Sequence, residues 1–487
     1  MIKLKNLIGA IRPIEIIGDT DKNILSLESD SRKVTRDGMF VAVRGVTTDG
    51  HKYIPVVASA HVGAIVCEEL PASLIQGITY IRVANSADAL GHLASEWFGN
   101  PSRKLKLVGV TGTNGKTTTA TLLYEMARLE GYKAGLLSTV CNYIDTEAVA
   151  ATHTTPDPIS LNSLLARMVE AGCDYAFMEV SSHAAQQHRI AGLKFKGGVF
   201  SNLTRDHLDY HGTVENYMNA KKMFFDSLDA DAFALVNIDD KAGMYMVQNT
   251  RAHVYTYSLR SEADFRCKIL ETRLDGTLLQ LDGHDIEVGF TGRFNAYNLT
   301  AVYGASILTG FPEEEVRVNM SRLVPVAGRF QTFRSADGVT AIVDYAHTPD
   351  ALVNVLDTIR DVVGVNGRIT TVVGAGGNRD HGKRPMMARE AACRSDLLIL
   401  TSDNPRDEEP DAIIADMRAG LTDDEMRRTL CITDRREAIR TAIRMAQPGT
   451  VVLVAGKGHE PYQEVKGVRH HFDDREEVSA ELAARKG

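Results

Sequence analysis

The chain has 487 residues, too many for one hydrophobic core and enough for about three domains. Its 44% hydrophobic and 24% charged residues are those of an ordinary globular protein, and a net charge of −8 gives no support for nucleic-acid binding. Six scattered cysteines (Cys67, Cys141, Cys173, Cys267, Cys393 and Cys431) without a CxxC pair argue against a disulfide framework or a cysteine zinc site, and no apolar run is long enough to span a membrane.

In chain order, the opening "MIKLKNLIGAIRPIEI" lacks a signal-peptide cleavage pattern, which together with the cysteine usage predicts a cytoplasmic protein without membrane insertion. Short β-like runs follow in "GMFVAVRG", "GAIVCEE" and "ITYIRVAN". "PSRK", residues 101–104, reads as a linker. The strand "LKLVGV" then enters a glycine-rich turn and a helix, and strands and helices alternate to about Leu323. "VPVAGRF" reads as a second junction. A third block repeats the strand-loop-helix rhythm with the strands "AIVDYA", "TTVVGA", "LLILTS" and "VVLVAG". This alternation predicts an α/β protein with parallel sheets, divided into residues 1–103, 104–328 and 329–487. Ligands of such sheets bind beyond the carboxyl ends of the strands.

The strongest local signal is "LKLVGVTGTNGKTTTATLLYEMARLEGY". An apolar strand ends near Val110, the turn Gly112, Thr113, Asn114 and Gly115 follows, and Lys116, Thr117 and Thr118 open a helix with Leu122, Leu123, Met126 and Leu129 on one face. Glycines let backbone N–H groups close around phosphate oxygens, Lys116 adds a point charge, and Thr117 can reach Mg²⁺. The strict GxxxxGK[ST] pattern fails, because Val110 holds the first glycine's place. The competing reading is a strand-to-helix turn without a ligand; the lysine and threonines after the turn favour an ATP site.

Glu179 ends the strand-like "CDYAFMEV", where an acid can hold Mg²⁺ or simply cap the loop. In "NLTRDHLDYHG", His207 and His211 are four apart and share a face if helical, with Asp206 and Asp209 in the same turn. Zinc ligation is one reading of the pair. The ATP loop favours magnesium, and His211 reads better as structural. In "NYMNAKKMFFDSL", Tyr217, Lys221 and Phe225 align at helical spacing with Phe224 close by, while Lys222 points elsewhere. A desolvated lysine is neutral and can add CO₂ to give a carbamate, an anionic magnesium ligand; the ordinary reading is a solvated side chain. In "LLILTSDNPRDEEPDAI", Arg406 follows a strand and a proline turn, where its guanidinium fork suits a carboxylate; the alternative is a surface arginine paired with Asp407 or Glu408.

Taken together, "GVTGTNGKTTT", "MEVSSH", "NLTRDHLDYHG", "YMNAKK", "GRFNAYN" and "DYAHTPDAL" resemble the Mur ligases of bacterial peptidoglycan synthesis, and "NRDHGKRP", "DNPR" and "AGKGHE" resemble the members that add diaminopimelate. The motifs occur in the family's order over essentially the whole chain. The resemblance implies a UDP-sugar-binding N-terminal domain, a central ATP-binding P-loop domain and a Rossmann-like C-terminal domain that brings the amino acid. It implies an ATP-dependent amide ligase that joins meso-2,6-diaminopimelate to UDP-MurNAc-L-Ala-D-Glu through an acyl phosphate and a tetrahedral intermediate, with Mg²⁺ as cofactor, acting as a monomer.

By matching position, the resemblance implies that Ser29, Ser31, Val46, Thr47 and Thr48 contact UDP, and that Thr154, Thr155, Ser181, Gln187 and Arg189 hold the muramoyl-dipeptide. Residues 112–118, with Asn295, Arg329, Asp344 and His347, would bind the nucleotide. Thr117, Glu179, His207 and Lys221 as its carbamate would support the metal, with Lys116, Lys221 and His207 as the catalytic set. Arg379, Asp403, Asn404, Pro405, Arg406, Gly456 and Glu460 would select diaminopimelate, with Arg406 on its far carboxylate and Asp403 or Glu460 accepting from its far ammonium.

Overall fold

Parallel strands expose two apolar faces and need helices on both, and the chain meets this need three times. The computed structural model describes residues 1–45, 48–151 and 153–485, and it is a three-domain α/β protein with one main sheet in each domain. The N-terminal sheet has five strands in the order Pro13–Ile17, Thr79–Val83, Ala64–Cys67, Met39–Val41 and Leu27–Glu28, the first antiparallel to its neighbour and the rest parallel. Its helix Ser86–Trp97 starts at Asn85, whose side chain accepts from the Asp88 N–H, and buries Leu90 and Leu93. Residues 101–104 do not form a free linker. Pro101–Arg103 is a single 3₁₀ turn with Pro101 and Ser102 buried, and the Ser102 hydroxyl accepts from Lys194 N at 3.0 Å.

The middle sheet has eleven strands, and the phosphate-loop strand Lys106–Thr111 sits inside it between Tyr175–Glu179 and Gly197–Phe200, parallel to both. The register sets Glu179 beside Val110, and Phe200 beside Thr111. The helix Lys116–Leu129 packs Leu122, Leu123 and Met126 on this sheet with no exposure. Burial of such side chains contributes about 1.5–3 kcal/mol each. Strand-helix alternation does not run through the whole block. Phe265–Arg273, Gly276–Leu281 and His284–Val288 form an antiparallel meander, and Asn142–Ile144 with Glu147–Val149 form a hairpin.

The C-terminal sheet runs Gln331–Arg334, Thr340–Asp344, Val451–Ala455, Ile369–Val373, Leu397–Leu400, Thr429–Cys431, parallel except for the first strand. Three adjacent strand ends therefore deliver the loops 374–382, 402–408 and 456–460 to one place. Among the described residues no helix is long and apolar enough to cross a membrane.

Candidate active site

The turn after Lys106–Thr111 is held open by its glycines. Gly115 has φ +86, and a Cβ there would lie 2.3 Å from Asn298 Oδ1, so only glycine fits without displacing that side chain. Asn114 N donates to Asn202 Oδ1 at 2.9 Å, which fixes the turn against the next strand end. Lys116 folds back and donates to Gly112 O at 2.9 Å and Thr113 O at 2.7 Å. Burial pushes its pKa down, against the pull of Glu179 and Asp206. Asn295 is buried, donates to Thr291 O and accepts from Asn298, the residue that touches Gly115.

Glu179 is 1% exposed and gathers the loop around it. Its Oε1 accepts from Thr117 Oγ1 at 2.9 Å and from Thr139 N at 2.7 Å, while its backbone carbonyl accepts from Thr155 Oγ1 at 2.8 Å. Lys221 is 1% exposed on the helix Val214–Asp226 and donates to Gly112 O at 2.6 Å, with Nζ 4.5 Å from the Tyr217 ring centre. Burial, reinforced by Lys116, drives its pKa well below the ordinary lysine value, so the neutral amine is accessible. Tyr217, Phe224 and Phe225 on the same helix are buried, and Lys222 turns away to Asp226 at 2.6 Å.

His207 is not helical. It stands before the short helix Leu208–His211 with φ +52, its Nε2 3.5 Å from Asp206 Oδ2 and its ring 5.0 Å from His183. The side chain keeps 47% exposure; desolvation by the surrounding protein lowers its pKa to about 4, with Lys116 and His183 acting in the same direction and Asp206 against it. Burial works against the Asp206 carboxylate, but His207, His347 and Lys383 hold it below the usual range. His211 is buried, with Nε2 2.9 Å from Ser182 Oγ, a packing role.

The C-terminal sheet reaches this centre through Arg329. Its Nη2 donates to Thr117 Oγ1 at 3.2 Å, and its guanidinium lies 4.4 Å from the Tyr345 ring centre. Asp344 accepts from Phe330 N and Ala346 N, each at 2.7 Å, and thereby fixes the segment carrying Arg329. His347 Nδ1 lies 2.8 Å from Tyr345 O, and burial lowers its pKa to about 4.

A second cluster lies along the same strand ends. Thr139 Oγ1 donates to Thr154 Oγ1, Ser181 N to Thr155 Oγ1, Arg189 Nη1 to Thr155 O at 2.8 Å, Arg189 Nη2 to Gln187 Oε1 at 2.7 Å, and Gln187 Nε2 to Tyr210 OH. Ser29, Ser31 and Thr48 sit apart in the N-terminal domain, and no hydrogen bond joins them to this cluster among the described residues. Val46 and Thr47 lie outside the described residues.

The third cluster forms where the C-terminal loops meet. Asp403 is 8% exposed, and its Oδ2 is buried without a hydrogen-bond partner. A Cβ on Gly456 (φ +118) would lie 2.6 Å from that oxygen. Asn404 is tied by Nδ2 to Glu460 Oε2 at 2.7 Å, while its Oδ1 accepts from Lys457 Nζ and Glu464 N, each at 2.9 Å. Burial, with Asp403 nearby, raises the Glu460 carboxyl against the opposing Lys457. Arg406 has φ +52, and its backbone is bonded on both sides to the hairpin Tyr462–Val465 and Val468–His471: Arg406 N to Glu464 O, and Lys466 N to Arg406 O. Its Nη1 donates to Gly377 O at 2.7 Å, and it makes no ion pair among the described residues. Asp407 and Glu408 are engaged elsewhere, which removes the surface-pair alternative for this arginine. Arg379 is exposed on the neighbouring loop.

Sequence reasoning assigned nothing to Lys457, Asn202 or Arg384. All three lie in or beside the quoted motifs "AGKGHE", "NLTRDH" and "NRDHGKRP", which was the available signal. Lys457 is fully buried, and Arg384 is 1% exposed.

Residues 110–306 match the Mur ligase middle domain, and residues 328–458 match the Mur ligase, glutamate ligase domain. A UDP-N-acetylmuramoyl-L-alanyl-D-glutamate–2,6-diaminopimelate ligase of Parabacteroides distasonis is 62% identical over 98% of both chains. A solved structure of a ligase with the same description is 33% identical over 99% of this chain and 98% of its own, with a TM-score of 0.68. The ADP complex of MurF ligase from Thermotoga maritima, 19% identical over 94% of this chain and 97% of its own, shares the fold with a TM-score of 0.61. With a phosphate loop, a buried acid and a shielded lysine at one set of strand ends, and relatives matching over nearly its full length, the chain belongs to the Mur ligase family of ATP-dependent ligases.

Proposed function

We propose that the protein joins meso-2,6-diaminopimelate to UDP-MurNAc-L-Ala-D-Glu in the cytoplasm, as a monomer whose domains span residues 1–103, 104–328 and 329–487. The observation that carries the choice of amino acid is the presence on one loop of a buried Asp403 Oδ2 without a hydrogen-bond partner and an Arg406 without an ion pair, both among the described residues. Asp403 Oδ1 already accepts from Asn404 N at 2.7 Å, but a buried carboxylate oxygen left without a partner is costly, and an incoming ammonium satisfies it. Arg406 then takes the carboxylate at the same end of the ligand, with Arg379, Asn404, Pro405, Gly456 and Glu460 shaping the rest of the pocket.

In this reading, the γ-phosphoryl group of ATP passes to the terminal carboxylate of the UDP-substrate, and ADP leaves. The amine attacks the acyl carbon, a tetrahedral intermediate forms, and phosphate leaves as the amine loses its proton. Residues 112–118, Asn295, Arg329, Asp344 and His347 hold the nucleotide. Thr154, Thr155, Ser181, Gln187 and Arg189 hold the dipeptide, with Ser29, Ser31 and the 46–48 segment on UDP. Lys116 exchanges its two carbonyl partners for phosphate oxygens, a charge-for-charge gain in a partly desolvated site.

Thr117, Glu179, a neutral His207 and a carbamate on Lys221 would hold magnesium, which neutralises phosphate charge when bound. The donor set fits that ion. Among the described residues no group of three or more His, Cys, Asp or Glu forms a cage, and magnesium is ordinarily held by one or two carboxylates together with substrate phosphates. The deciding experiment measures phosphate release and amide product with ATP and UDP-MurNAc-L-Ala-D-Glu, comparing meso-diaminopimelate with L-lysine. Turnover with lysine at equal efficiency, or ATP binding without amide product, overturns the reading.

A further inference from the structure

Arg406 is followed at once by two acids, Asp407 and Glu408, either of which could neutralise it. The structure turns both away. Asp407 Oδ2 accepts from Asn378 Nδ2 at 2.7 Å. Glu408 Oε1 accepts from Arg384 Nη2 at 2.8 Å and from Asn378 N. Arg384, on the helix Lys383–Arg394, is 1% exposed and has a second anchor, with Nη1 2.8 Å from Asp416 Oδ2 on the helix Pro410–Arg418. The two arginines approach adjacent carbonyls of one loop: Arg384 Nη2 lies 3.4 Å from Gly376 O, and Arg406 Nη1 2.7 Å from Gly377 O. The loops also bond through their backbones, Gly377 N to Asn404 O at 2.9 Å. One buried arginine thus holds the acid while bonding the same loop, and the other arginine makes no ion pair among the described residues.

We infer that Arg384 is a specificity-determining positioning residue: by sequestering Glu408 it keeps the Arg406 guanidinium available to the far carboxylate of the incoming amino acid. The inference rests on the reading of Arg406 given above. Its physical basis is competition. Glu408 is two residues from Arg406, and once released it offers the same guanidinium a covalently tethered carboxylate. Asp416 contributes by holding the Arg384 fork in a two-point grip, so that Arg384 stays in place and Glu408 comes to it.

The test compares Arg384→Met, Glu408→Gln and the double variant in steady-state kinetics, with KM measured separately for meso-diaminopimelate and for ATP. Arg384→Met is expected to raise the KM for meso-diaminopimelate about tenfold or more while the KM for ATP stays within about twofold. Glu408→Gln keeps an oxygen for the Asn378 N–H and stays within about threefold of the parent protein, and the double variant returns to about that level. Rescue confined to the KM for meso-diaminopimelate, with the KM for ATP and the melting temperature of the single and double variants alike, is what a purely structural Arg384 does not show, because relief of a stranded charge would move stability and both KM values together. A double variant no better than Arg384→Met, or an unchanged KM in Arg384→Met, overturns the inference. If the methionine variant does not fold, Arg384→Lys, with and without Glu408→Gln, makes the same comparison with a cation kept in the buried space. Arg406→Ala serves as the reference. An unchanged KM there overturns the site reading and this inference with it, whereas a raised KM there beside an unrescued double variant overturns this inference alone.

Discussion

Replacing Arg406 by alanine removes a side chain while sparing the backbone that carries it. The residue sits at φ +52, and alanine inherits the same conformational cost as arginine, so the change adds no new strain. The two backbone bonds to the hairpin, Arg406 N to Glu464 O and Lys466 N to Arg406 O, survive the substitution. What is lost is the bond to Gly377 O, about 1 kcal/mol for a group that water can partly replace, and the ion pair with the ligand carboxylate, about 2–5 kcal/mol when one partner of a desolvated pair is truncated. The first loss falls on the free protein and the second on the complex. The KM for meso-diaminopimelate should therefore rise by about 10²-fold, equivalent to about 3 kcal/mol, with ATP and UDP-substrate affinities nearly unchanged. Arg406→Lys should rescue poorly, because an ammonium keeps the charge but not the planar fork. The assay is phosphate release with meso-diaminopimelate varied and the other substrates saturating. A parent-like KM in a folded Arg406→Ala protein would refute the reasoning.

Lys116→Ala is expected to lower kcat by about 10²-fold or more, as a point charge at the phosphates is lost, and near-normal turnover in a folded variant would remove the assignment. Lys221→Ala should abolish most activity, with part restored by a short carboxylic acid in the buffer; mass spectrometry showing plain lysine on active, CO₂-equilibrated enzyme would contradict the carbamate. The pH dependence of folding follows from His347, whose folded pKa is about 4 against an unfolded value of about 6.5. A depressed folded pKa means that the unfolded chain takes up the proton first. The stability from this neutral ring is complete above about pH 6.5 and is lost as the pH falls toward 4. Thermal melts across that window should show the loss, and His347→Asn, which keeps a donor for Tyr345 O, should make it shallower.

The phosphate loop was legible because its signals are local: an apolar strand, a glycine turn, Lys116 and a helix with period 3.6 lie within thirty residues of one another. Arg406 was legible as a candidate for a carboxylate partner, but the reason it forms no ion pair among the described residues was not. That reason depends on Arg384 and Asn378, which reach the 402–408 loop only because two parallel strands are neighbours. Lys457 was passed over for a similar reason. A lysine reads as solvated unless its partners are known, and Asn404 lies 53 residues away. The antiparallel meander is a different kind of miss. "RLDGTLLQLDGHDIEV" carries two Asp-Gly dipeptides between alternating apolar residues, a strong hairpin signal; the structure turns at Leu274 and Asp275, with Gly276 opening the next strand, and at Asp282 (φ +45) and Gly283 (φ +88). There the information was local, and the expectation of helix between strands overrode it. The docked 3₁₀ turn at Pro101–Arg103 was illegible because burial of Ser102 depends on a backbone donor, Lys194 N, far along the chain.

The bond from Arg329 to Thr117 has a thermodynamic consequence. The Thr117 hydroxyl donates its one proton to Glu179 and accepts from Arg329, so it links the phosphate loop to the segment that enters the C-terminal sheet, with one lone pair still open. A phosphate or metal that engages Thr117 meets the Arg329 guanidinium beside it, and Arg329 lies two residues before the first strand of the sheet whose loops carry Asp403 and Arg406. On the proposed reading, occupancy at the phosphate loop is expected to be coupled in free energy to the posture of the amino-acid pocket. Such coupling is reciprocal: by whatever factor the nucleotide changes the affinity for the amino acid, the amino acid changes the affinity for the nucleotide by the same factor.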